Sequence, residues 1–85
     1  MTDIDQVLNE RAKSHGDYPT HAYFTQKIKA VFREARAYER MQAHQLETLD
    51  MIAHKIGRIL AGDPGHADHW VDIQGYAALT AKEIE

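Results

Sequence analysis

Apolar side chains recur along the chain at helical spacing and nowhere alternate over four residues or more, so the pattern predicts helices throughout and no strand. Ile4, Val7, Leu8 and Ala12 mark a short first helix over about 3–14, with Thr2 able to cap its first turn. Phe24, Ile28, Val31, Phe32 and Ala35 form one stripe of a second helix, expected to start at Thr20 as N-cap and to run to about Tyr38. The third, from about His44 to Ala61, carries Leu46, Leu49, Ile52, Ala53, Ile56, Ile59 and Leu60 on one arc. Glu47, Asp50, His54 and Arg58 occupy its other arc, and Gly62 is the expected C′ residue. The fourth opens either with Asp63 as N-cap and Pro64 at N1 or slightly later near His66, and continues through Trp70, Ile73, Ala77, Ala81 and Ile84. Trp70 shares the stripe of Ile73 and Ala77 and is expected in the core. The predicted fold class is all-α, one domain over residues 1–85. It is a small bundle of about four helices in which the long third and fourth pack antiparallel across Gly62-Asp63-Pro64-Gly65.

Composition narrows the class. Eighty-five residues, 44% apolar and 27% charged, suffice for one small core and exclude a second domain. So short a chain buries only about 60% of its unfolded surface, which makes a homodimer or higher homo-oligomer the expectation. The absence of Cys removes disulfides, thiolate nucleophiles and cysteine metal sites. No apolar run approaches the length of a membrane span and the N-terminus shows no signal-peptide core, so the expectation is no membrane and a cytoplasmic location. The net charge of −3 is unevenly spread. Residues 1–42 hold seven Lys/Arg against six Asp/Glu, and residues 43–85 hold three against seven.

The acidic second half contains the first candidate chemistry. Glu47 and Asp50 lie three positions apart, Asp68 and Asp72 four apart, so each pair projects from one side of its own helix. Four carboxylates on rigid helices suit Mg²⁺ or Mn²⁺, and Lys55 and Arg58 beside them suit phosphate, the division of labour of phosphoryl-type chemistry. Alternatively Glu47, Asp50 and Asp68 are solvated acids near helix N-termini, opposing the macrodipole. In an antiparallel register Asp72 falls near His54 or Arg58 and far from Glu47. Asp72 lies too deep in its helix for a dipole role, so Lys55 or Arg58 is its expected partner. Gly75, one turn on, implies close approach of another helix or of a ligand.

Residues 49–79, LDMIAHKIGRILAGDPGHADHWVDIQGYAAL, together with ERAKSHGDY at 10–18, resemble a family of small phage and prophage proteins of unknown function, with its Trp-x-Asp-Ile-x-Gly-Tyr helix. More distantly the helix pair resembles the MazG-like all-α nucleoside triphosphate pyrophosphatases. That resemblance implies a nucleotide ligand, Mg²⁺ (or Mn²⁺) on Glu47, Asp50, Asp68 and Asp72, release of pyrophosphate, and sites completed by oligomerisation. A phage origin would place the chain in host cytoplasm. Here the acids are fewer than in that superfamily, and the second pair is spaced by four instead of three.

Other residues carry rival readings. In the loop, Lys13 is placed to meet a phosphate and Tyr18 to stack on a base, while Asp17 accepts hydrogen bonds. Tyr76, one turn from Asp72, is assigned to the site edge. His66-x-x-His69, with Asp68 and His54, has the donor types of a zinc site, though His-x-x-His at a turn arises often by chance. Lys29, Arg33, Arg36 and Arg40 align as a basic stripe on the second helix, the best argument for a nucleic-acid binder. A pI near 6.0 and the interrupting Glu34 and Glu39 argue against it. The remaining alternative is a helical interaction module without catalysis.

Overall fold

The computed structural model describes residues 2–85, Thr2 through its backbone alone, so the cap expected of that side chain lies outside the described residues. The chain forms α1 (Thr2–His15), α2 (Tyr18–Glu34), a 3-10 turn (Arg36–Arg40), α3 (Ala43–Ala61) and α4 (Ala67–Ile84), an all-α bundle of four helices as the periodicity predicts. α3 is the hub: α2 packs on one side of it, α4 on another, and α1 lies across the α2–α3 junction.

Three boundaries differ from expectation, each for a local reason. α2 begins at Tyr18 because Asp17, not Thr20, is its N-cap: the Asp17 carboxylate accepts from the Thr20 backbone N–H at 3.1 Å and from the Thr20 hydroxyl at 2.9 Å. α2 stops at Glu34 because Ala35 turns extended (φ −83°, ψ 142°), which moves Arg36 and Arg40 onto the 3-10 turn. The basic stripe is therefore not one helical face. α4 starts at the later of the two expected positions, with His66 as N-cap, while the Asp63 carboxylate accepts from Gly65 N–H at 2.8 Å.

The α3–α4 register is antiparallel and fixed by polar ties. The Thr48 and Thr80 hydroxyls lie 2.6 Å apart, and the Thr80 hydroxyl also donates to the His44 carbonyl at 3.2 Å. Nearer the turn, Lys55 meets Asp72 at 2.9 Å. Beyond the turn, α1 is pinned by its last carbonyls: Ser14 C=O accepts both the Asp63 backbone N–H (3.0 Å) and the His69 Nε2–H (2.8 Å). A carbonyl cannot donate, so the His69 tautomer carries its proton on Nε2. His69 is 2% exposed, the most deeply buried large side chain among the described residues.

Two glycines make these approaches possible. Gly16 has φ +76°, a left-handed conformation that favours glycine, and a Cβ there would collide with the Ala61 carbonyl at the end of α3. Gly57 sits where α2 crosses α3, and a Cβ would run into the Thr25 hydroxyl and the His21 ring and carbonyl. Gly62 ends α3 as C-cap without a left-handed φ, so the αL cap expected of it is not formed; its N–H bonds Arg58 C=O at 2.9 Å, and the Ser14–Gly16 backbone fills the space of a side chain.

The apolar core is thin. Among the described residues Ala53 is the one apolar side chain that is fully buried, whereas Trp70 is 53% exposed, with its indole N–H donating to the Pro64 carbonyl at 2.8 Å. Trp70 thus clips the α3–α4 turn from outside, which corrects its expected place in the core.

Candidate functional site

A cleft of about 430 Å³ opens where α1, the α1–α2 loop, α2 and α3 meet. α1 contributes Leu8, Arg11, Ala12 and His15, positions i, i+3, i+4 and i+7 that lie on one helical stripe. The loop and the first turns of α2 add Tyr18 and His21, and α3 adds His54 and Arg58 from its polar arc. Asp17 is the one carboxylate in the lining, and its oxygens are committed to Thr20.

The rings form a ladder. Tyr18 packs edge-on to His21 with centroids 6.0 Å apart, and His21 to His54 at 4.4 Å. The His21 Nε2–H donates to the His54 carbonyl at 3.1 Å, which fixes that ring across the helix crossing. On the other flank, His15 stands edge-on to His69 at 4.8 Å and next to the Ser14 hydroxyl.

The electrostatics are one-sided. Burial first, then Arg58 and the neighbouring imidazoles, holds His15 at about 4. His54 is likewise held at about 4, by burial, then Arg58 and His21. His21 is lowered by burial too, against the opposing effect of its bond to the His54 carbonyl. Arg58 is itself lowered, by burial and then by Arg11. Among the described residues neither guanidinium forms an ion pair, the two pairs being Lys55–Asp72 and His66–Asp68. Near neutral pH the cleft thus holds two guanidinium groups without an ion-pair partner, Arg58 being favoured at longer range by Asp72, beside uncharged imidazoles.

Acid should weaken the fold through these rings. With folded values near 4 and an ordinary value of 6.5, the unfolded chain takes up the protons first, so the contribution of these two rings is constant above about pH 7 and falls as pH drops from about 6.5 to 4. Screening by solvent at the cleft mouth limits the loss to about 1 kcal/mol per ring. Thermal melts should show a lower Tm at pH 5 than at pH 7.5, and His15→Gln/His54→Gln should flatten the difference. Equal melting temperatures in the parent chain would contradict the assignment.

Of the residues singled out for chemistry in the sequence, Asp17, Tyr18, His54 and Arg58 line the cleft, and the others fall elsewhere. Lys55 is buried and bonded to Asp72, whose carboxyl is held below its usual range by that bond. Truncating the two partners should therefore have unequal effects. Asp72→Ala strands a buried ammonium, whereas Lys55→Met leaves a half-exposed carboxylate that water can solvate, so urea titrations should show the larger loss for Asp72→Ala. Lys13 is exposed on α1 and outside the cleft lining, and Tyr76 lines a shallow trough on α4 with Asp72. In the observed register Glu47 and Asp68 sit about 20 Å apart along the helix axes at 1.5 Å per residue. Among the described residues no three of His, Asp or Glu form a group that could hold a metal ion, which covers both the carboxylate set and His54, His66, His69 and Asp68. The four carboxylates of a single chain therefore do not converge on one ion.

What sequence reading missed is the set Arg11, His15 and His21, and that His54 joins them instead of His66. The set's one legible trace is the ERAKSHGDY segment, which contains Arg11, His15, Gly16, Asp17 and Tyr18 and encloses the loop of the cleft. A family model covers that segment and nearly all the rest, residues 1–84. The chain belongs to the family described as "Domain of unknown function (DUF6378)". No match is found among curated proteins or solved structures. The DUF6378 match extends from the α1 stripe to the end of α4, so it takes in both the cleft and the bundle. No helix among the described residues is long and apolar enough to cross a membrane.

Proposed function

We propose that this domain binds a phosphorylated small molecule, a nucleotide being the class that fits best, in the cleft between α1, α2 and α3. The observation that carries this reading is the pair Arg11 and Arg58, which face one cleft without a carboxylate partner. A half-buried guanidinium held below its ordinary value by burial and a second guanidinium is destabilised until an anion arrives. Tyr18, largely exposed at the rim, offers a flat face for a base.

The resemblance to nucleotide pyrophosphatases asks for more, a divalent ion on Glu47, Asp50, Asp68 and Asp72. Since one chain does not gather these oxygens, the ion would have to arrive with the nucleotide or be held by carboxylates of neighbouring copies. Binding and hydrolysis are therefore separate propositions.

Isothermal titration of the full chain with inorganic phosphate, pyrophosphate and nucleoside mono- and triphosphates, each with and without Mg²⁺, tests the first; pyrophosphate release in the same mixtures tests the second. Saturable heat with any phosphate is expected, weakening as salt is raised. Absence of heat across the series at millimolar ligand would overturn the binding reading.

A further inference from the structure

α4 turns an unpartnered face outward. Val71, Gly75 and Leu79 fall four residues apart on one stripe, roughly opposite the side that carries His69 toward α1 and Thr80 toward α3. Val71 is 58% and Leu79 62% exposed, and with Asp72, Gly75 and Tyr76 they line an open trough of about 550 Å³. At the centre is Gly75, in mid-helix, with nothing of the chain within 4 Å of where its Cβ would be. Glycine is a poor helix former. The close approach implied by its position is made by nothing within the chain.

The chain as a whole exposes too much surface for a monomer of its mass. A globular 9.7 kDa protein presents about 5,100 Å², whereas this chain presents 6308 Å². The difference of about 1,200 Å² exceeds the roughly 800 Å² that each partner contributes to a standard interface. The radius of gyration agrees: 14.7 Å, against about 12 Å for a compact domain of this length.

Charge identifies the occupant. Asp68 lies seven residues before Gly75 and Lys82 seven residues after it, both exposed and within about 20° of the stripe at 100° per residue. If a second α4 packs antiparallel about a two-fold axis through Gly75, each Asp68 faces the partner's Lys82 and each Val71 faces the partner's Leu79. Such a stripe is self-complementary in shape and in charge, which is what an isologous interface requires. We infer that the α4 stripe Asp68–Val71–Gly75–Leu79–Lys82 is the dimer interface of this protein, its partner a second copy of the same chain. α4 contributes nothing to the lining of the cleft, so this inference is independent of ligand binding.

Sedimentation equilibrium of the full chain from 1 to 100 µM, with circular dichroism of every variant, tests it. The parent chain is expected to be dimeric. Gly75→Arg, which meets open space in the single chain, should yield a helical monomer. Asp68→Lys should weaken the dimer at least 5-fold, and Asp68→Lys/Lys82→Asp should restore it. Because the chain has no cysteine, Gly75→Cys should give a disulfide-linked dimer on mild oxidation, while Gln74→Cys, aimed about 100° away, should not. A monomeric parent chain, or a dimer untouched by Gly75→Arg but lost in Leu8→Glu on α1, would overturn the assignment.

Discussion

Gly57→Ala is expected to lower the stability of this domain by about 2 kcal/mol, although Ala is the better helix former. On an exposed helix that exchange gains about 1 kcal/mol. Here the added methyl meets the Thr25 hydroxyl, the His21 ring edge and the His21 carbonyl at the α2–α3 crossing. The Thr25 side chain has little room to turn, being almost fully buried, and the carbonyl belongs to the α2 backbone. Relief therefore requires α2 to move off α3, and overpacking of this kind costs about 1 to 3 kcal/mol and at times more. In a domain this small, a net loss of 2 kcal/mol lowers Tm by about 8 to 16 °C. The Thr25 hydroxyl has no hydrogen-bond partner among the described residues, so its removal costs the fold little polar pairing. Gly57→Ala/Thr25→Ala should accordingly be less destabilised than the sum of the single changes, by at least 0.5 kcal/mol. Additive losses in urea titrations would show that the crossing is looser than these contacts indicate.

Arg58→Ala is expected to separate binding from folding. The guanidinium is half-buried, without an ion-pair partner and beside Arg11, so its removal relieves the burial of a charge and the repulsion that lower it, and the melting temperature should hold or rise. The ligand loses a charge-assisted contact of about 1.5 to 3 kcal/mol, a roughly 10- to 100-fold weaker Kd. Arg58→Lys keeps the charge but not the planar fork, and should fall between the two. A Kd for phosphate-bearing ligands that is unchanged in Arg58→Ala would move the site away from this cleft. A Tm that collapses with it would make Arg58 a structural residue, contrary to its lack of partners.

The fold was more legible than the site. α3 could be read almost to the residue, because its apolar spacing is regular and Gly62 stops it. The end of α2 could not: Arg33-Glu34-Ala35-Arg36 contains no breaker, and Ala35 turns extended with neither Gly nor Pro to announce it. Antiparallel register placed Asp72 beside its cation, since a short turn leaves little freedom in how two long helices meet. The same register kept Glu47 and Asp50 far from Asp68, which spacing within each helix cannot express. Periodicity puts His54 and Arg58 on the polar arc of α3, because it distinguishes two faces of a helix but not how many neighbours cover them. α3 is covered on two sides, so its polar arc became the floor of a cleft.

By itself the sequence determined the helical class, the number of helices and the antiparallel pairing of α3 with α4, all of which follow from local spacing and from turns too short to allow anything else. Only the tertiary structure decided which polar groups meet. Arg11 and Arg58 are brought to one cleft by a loop that Gly16 alone can turn against Ala61, and Lys55 is claimed by Asp72 before any ligand can reach it. Contacts between residues far apart in the chain depend on how closely two backbones approach, and that distance is set by packing at positions such as Gly57.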